Sequence, residues 1–81
     1  MFFKSVKMNR RNLRARKVVK ALVNYGCVIV RNTDHGVIVE NPRNYKSTNV
    51  PTHRDILAVW IYNNVLRQLD IDKKDFERFL E

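Results

Sequence analysis

The sequence predicts an α+β domain in which two helices cover one face of a three-stranded antiparallel sheet. Three observations predict it. Apolar residues recur at helical spacing in two stretches, residues 13–24 and 55–69. Three short β-branched runs, residues 27–30, 37–39 and 48–50, lie between those stretches. Turn-forming residues separate the runs closely enough to keep successive strands adjacent in one sheet. With 81 residues the chain suffices for one domain, with a stability on the order of 5 kcal/mol.

Residues 1–11 read as a flexible basic arm, because they lack helical periodicity and their charges repel one another. Residues 12–81 read as the single domain. In the first helix Leu13, Val18, Val19, Leu22 and Tyr25 form the apolar stripe, with Ala15 and Ala21 beside it, and Arg14, Arg16, Lys17 and Lys20 fill the other face. Asn12 suits its N-cap and Gly26 its C-terminal cap. Cys27 opens the first strand, so it reads as a buried, inert thiol. Asn32 to Gly36 form a turn, and Val37, Ile38 and Val39 return from it. A polar loop at residues 43–47 leads to the third strand, which Pro51 stops. Ile56, Trp60, Val65, Leu66 and Leu69 give the second helix its apolar face. Asp72 is placed to cap a last short helix carrying Phe76, Phe79 and Leu80.

The net charge is +8, and its placement is more informative than its size. Residues 1–20 hold Lys4, Lys7, Arg10, Arg11, Arg14, Arg16, Lys17 and Lys20 and no acid, while the remaining residues balance to zero. A segregated basic block favours a polyanionic partner, usually nucleic acid; the alternative is a solubilising tail. The longest apolar run, Ile56 to Tyr62, is far shorter than the roughly 20 residues of a membrane span. No signal peptide is visible, and the lone Cys27 allows no intramolecular disulfide, so a reducing, cytoplasmic location is expected. No Cys/His spacing matches a metal finger and there is no Gly-rich phosphate loop, so neither a metal nor a cofactor is expected.

The chemistry rests on two histidines. RNA is cleaved without a metal when a base takes the 2′-hydroxyl proton, an acid protonates the leaving 5′-oxygen, and cations steady the charged phosphorane. Imidazole suits both proton transfers. His35 lies in the hairpin turn and His53 follows the third strand, and strand ends distant in sequence can meet at one sheet edge. Each is a candidate catalyst, or else an ordinary surface histidine. Arg31, Arg43, Lys46 and Arg54 are close to them in sequence and are candidate phosphate cations. Asp34 either orients His35 or bonds its own backbone. Gly36 offers a place where an RNA backbone approaches closely. Tyr45 is the better base-stacking candidate, and Trp60 and Tyr62 read as core and helix-surface residues.

The chain from residue 13 onward resembles the HicA (YcfA-like) toxins of toxin–antitoxin pairs. Residues 17–27 are similar to the family's opening helix, which ends in a glycine followed by an apolar residue. Val30-Arg31-Asn32-Thr33-Asp34-His35 is similar to its arginine, turn and histidine, and Val50-Pro51-Thr52-His53 to its Val-Pro-x-His step. Val65 to Ile71, then Phe76 with Phe79 and Leu80, resemble its C-terminal end. The departures are Thr33-Asp34 where Gly-Ser is usual, Val59-Trp60-Ile61 near a usual Gly-Thr-Leu step, and the long basic arm. The resemblance implies a double-stranded-RNA-binding-domain-like α-β-β-β-α sandwich. It implies a ribonuclease acting on messenger RNA through one essential histidine, matched here by His35, and a HicB-like antitoxin covering that site. Arg10, Arg11, Arg14, Arg16, Lys17, Lys20, Arg31, Arg43, Tyr45, Lys46 and Arg54 are then the expected RNA contacts. A non-catalytic nucleic-acid-binding module, or an adaptor for an acidic protein, remains the alternative class.

Overall fold

The computed structural model describes residues 13–80. Along them run α1 (Ala15–Tyr25), β1 (Val28–Thr33), β2 (Gly36–Asn41), β3 (Lys46–Val50), α2 (Val59–Gln68) and α3 (Lys73–Glu77). The fold is α+β in the expected order. Residues 1–12, with the basic arm and the candidate cap Asn12, lie outside the described residues.

α1 forms where the stripe predicts it and buries Ala15, Val18, Ala21 and Leu22. Gly26 ends it with φ 127°, where its N–H reaches the carbonyls of Leu22 and Val23; an L side chain is strained there. The sheet is antiparallel in the order β1-β2-β3. Val37 faces Val50 and Val39 faces Thr48 across β2 and β3. On β1 the register slips by one residue between Ile29 and Arg31, which makes Val30 a bulge. Val37, Val39 and Val50 are buried in one apolar core with Leu22, Val65 and Leu66, so both long helices cover the same face. The strands are longer than expected, taking in Arg31 to Thr33, Asn41 and Lys46.

Two expectations about α2 are corrected. It begins at Val59, not Asp55, because residues 55–57 bond along the start of α1 instead. Ala15 N–H donates to the Asp55 carbonyl at 2.8 Å and Leu57 N–H to the Leu13 carbonyl at 2.9 Å. Its core face is also different: Tyr62, Val65 and Leu66 are buried, while Trp60 is 71% exposed. Burial pushes the Tyr62 hydroxyl pKa up, and the charge of Glu77, whose carboxylate accepts from it at 3.2 Å, adds to the rise. Asp72 caps α3 as expected, accepting from Lys74 N–H at 3.1 Å.

The directions of the helices follow from their ends. The Leu69 carbonyl after α2 accepts from Asn41 Nδ2 at 3.0 Å and Asn44 Nδ2 at 3.1 Å, at the β2–β3 loop. Arg43 of that loop lies 5.5 Å from the ring centre of Tyr25, the last residue of α1. Both helices therefore start at the opposite end of the sheet, where β1 turns into β2. Asn41 is buried and ties α2 to the sheet, and its Oδ1 also accepts from Arg43 N–H at 3.1 Å. Asn41→Ala is expected to cost about 1–3 kcal/mol, because buried partners lose their bonds. Urea unfolding checks this, with the midpoint lowered and the slope unchanged.

Candidate active site

The site begins in the β1–β2 turn. Thr33 Oγ1 accepts from His35 N–H at 3.2 Å and donates to the Gly36 carbonyl at 3.1 Å, so a threonine hydroxyl closes the turn from within. Gly36 then pairs back to Thr33 with φ 152°. A β-carbon on Gly36 would collide with the Val50 carbonyl oxygen and lie 2.9 Å from Pro51 Cα. The expected role of this glycine, open space for an RNA backbone, is corrected: the space is filled by the end of β3. The missing side chain lets Pro51 close over the turn, and two residues later the chain delivers His53.

His53 Nδ1 lies 3.1 Å from the His35 carbonyl oxygen. A carbonyl only accepts, so Nδ1 carries the hydrogen and a neutral His53 keeps its lone pair on Nε2. The main chain of one histidine thus fixes the tautomer of the other. The two rings stand 6.3 Å apart, centre to centre, at 79°. Both side chains are exposed. A held imidazole with a free Nε2 beside a second exposed imidazole can accept one proton and deliver another at neighbouring atoms.

The surrounding charge is mixed. Arg31 stands on β1 opposite Ile38, on the sheet face turned away from the helices, and Arg54 adjoins His53. Arg14 pairs with Ile56 at the start of α1 and so belongs to the same end. Asp34 and Asp55 are the nearby acids in sequence. Among the described residues Asp34 makes no hydrogen bond to either imidazole, and the turn bond foreseen for it comes from Thr33. α1 and α2 both begin at this end with no acid in their first turns, so their positive dipole ends are uncompensated there.

Other candidates lie elsewhere. Arg43, Tyr45 and Lys46 sit at the β2–β3 loop, a strand length of about 16 Å from the histidines. The expected service of Arg43 and Lys46 as cations beside His35 and His53 is corrected, because nearness in sequence is undone by the strand between. Tyr45 is exposed there with φ 62°. Arg16, Lys17 and Lys20 are exposed along α1. Arg10 and Arg11 lie outside the described residues. Cys27 is buried, and burial pushes its thiol pKa up, with the charge of Arg43 opposing. The described residues contain no group of three or more His, Cys, Asp or Glu placed to hold a metal ion, and no helix among them is long and apolar enough to cross a membrane.

The bond between His53 and the His35 main chain has no sequence signature beyond Val-Pro-x-His after a short strand. The exposure of Trp60 has one. Trp60, Asn63, Asn64 and Arg67 recur at the spacing of a single helix face, and three of them are polar. Comparison of the chain with protein-family models, with curated proteins and with solved structures finds no match.

Proposed function

We propose that the protein is a ribonuclease of the HicA toxin kind, which cleaves messenger RNA in the cytoplasm without a metal and is silenced by a HicB-like antitoxin. The observation that carries this reading is the pairing of two exposed imidazoles, one fixed in tautomer by the main chain of the other. His53 Nε2 takes the 2′-hydroxyl proton, and the O2′–P bond forms. The protonated imidazole of His35 gives its proton to the 5′-oxygen as the P–O5′ bond breaks. Arg31 and Arg54 supply positive charge to the phosphorane oxygens. The products are a 2′,3′-cyclic phosphate and a 5′-hydroxyl. The three-stranded sandwich with both helices on one face suits a double-stranded-RNA-binding-domain-like scaffold, and an antitoxin that silences it would cover the histidine end.

The test is incubation of the purified protein with end-labelled RNA in a chelating buffer. Cyclic-phosphate ends are expected, and RNA with 2′-deoxy sugars should resist. RNA that is bound but never cut would instead support the non-catalytic module, a reading favoured by the exposed cations Arg16, Lys17 and Lys20 along α1.

Binding should depend strongly on salt. Replacing Arg10, Arg11, Arg14 and Arg16 together is expected to weaken RNA affinity without changing sequence preference. The slope of log K against log salt should fall by about 0.7 for each phosphate no longer neutralised. Fluorescence anisotropy of a labelled RNA between about 50 and 200 mM salt measures this; an unchanged slope would exclude these arginines from the interface.

A further inference from the structure

Trp60 is the only tryptophan in the chain, and it lies on the solvent side of α2 although the same helix has core positions at Tyr62, Val65 and Leu66. It lines a surface groove with Asn63, Asn64 and Arg67. Asn63 and Arg67 continue into an adjoining hollow with Leu66, Asp70, Ile71 and Lys73. Arg67 Nη2 donates to Asn64 Oδ1 at 3.1 Å, which holds the guanidinium along the helix surface. Because α2 starts at the histidine end of the sheet, Trp60 is at that end and Arg67 and Lys73 lead away from it.

The composition of this groove selects its occupant. A docking site for an apolar protein surface would surround the indole with further apolar side chains. Here two carboxamides and a guanidinium line the groove beside it, and the exposed Val59 precedes it outside that lining. A nucleotide uses each of these groups: the indole stacks on a base, a carboxamide bonds a base edge or sugar, and a guanidinium pairs with a phosphate. The charge excess of the chain lies in residues 1–20 and draws a polyanion to the protein as a whole, while on this face Arg67 and Lys73 outnumber Asp70.

We propose that the Trp60–Arg67 face of α2 is a subsite for an unpaired nucleotide of the RNA, with the base stacked on Trp60 and its phosphate on Arg67. RNA as the polymer rests on the ribonuclease reading; the subsite itself is tested by binding alone. The single tryptophan is its own probe. The unaltered protein is titrated with a single-stranded 2′-O-methyl RNA, which cannot be cut by 2′-hydroxyl attack. Binding is followed both by anisotropy of a label on the RNA and by Trp60 fluorescence.

Quenching that tracks the anisotropy is expected, and an abasic strand of equal length should bind without it. Trp60→Ala should weaken binding about 5- to 140-fold, the range for loss of one stacked base, and Trp60→Phe should recover part of it. Arg67→Gln should weaken binding and reduce its salt slope. Anisotropy showing RNA bound with Trp60 fluorescence unchanged overturns the subsite, as does wild-type affinity in Trp60→Ala or no RNA binding at all. Cleavage of ordinary RNA without quenching removes the subsite and leaves the ribonuclease reading intact. Quenching without cleavage keeps the subsite and removes that reading. Trp60 is exposed, so unchanged thermal unfolding of its variants certifies their fold.

Discussion

His35→Ala is expected to lose at least about 100-fold in RNA cleavage while RNA affinity stays within a few-fold. General acid–base help is typically worth 10²–10⁴-fold, roughly 3–5 kcal/mol of barrier. One imidazole adds little to phosphate affinity beside the cations of α1. His53→Ala should lose a comparable factor, because its ring is the one held in a defined tautomer against the His35 carbonyl. The pH–rate profile separates the two roles. With both histidines present it should be bell-shaped, since one must be deprotonated and the other protonated. Removing the base, His53, should abolish the rise on the acid side. Removing the acid, His35, should abolish the fall on the alkaline side. Wild-type cleavage by His35→Ala, or activity lost on chelation, would exclude this mechanism.

Gly36→Ala is expected to damage both stability and activity. The new methyl would meet the Val50 carbonyl and Pro51, and the backbone angle there is one that L residues rarely adopt. Backbone strain of about 1–3 kcal/mol and overpacking of about 1–3 kcal/mol act together. A loss of about 2–6 kcal/mol corresponds to a drop in Tm of at least about 8 °C for a domain of this size. Calorimetry checks it. Cleavage measured well below the lowered Tm should still be reduced, because relief of the collision moves Pro51 and with it His53. An alanine variant with the wild-type Tm would show that the turn and the end of β3 do not need this close approach.

Part of this architecture is legible in residues alone. Period-3.6 apolar spacing and a glycine stop make α1 readable, and the β-branched runs between turn residues make the three strands readable, because both signals are local. The cap of α3 by Asp72 is equally local, since the side chain bonds a main-chain N–H two residues away. The start of α2 is not local. Residues 55–57 have a second partner in Leu13 and Ala15, and main-chain bonds to α1 replace a first helical turn. The face of α2 is only half legible in sequence, because residues 56–62 are apolar all round and the outward stripe shows only in Asn63, Asn64 and Arg67 that follow. Docking on the sheet decides it: Tyr62 goes into the core and finds Glu77 for its hydroxyl, and Trp60 goes outward.

The same division holds at the candidate site. Residue types alone single out His35, His53 and the nearby arginines, since few side chains transfer protons near neutral pH and phosphate calls for cations. Strand direction decides which of them meet. His53 is 18 residues from His35 and within bonding distance of it, whereas Arg43, only eight residues from His35, is carried a full strand away. An antiparallel strand returns the chain to its starting end only after two passes, so proximity in space there depends on register and turn closure, which no local pattern encodes.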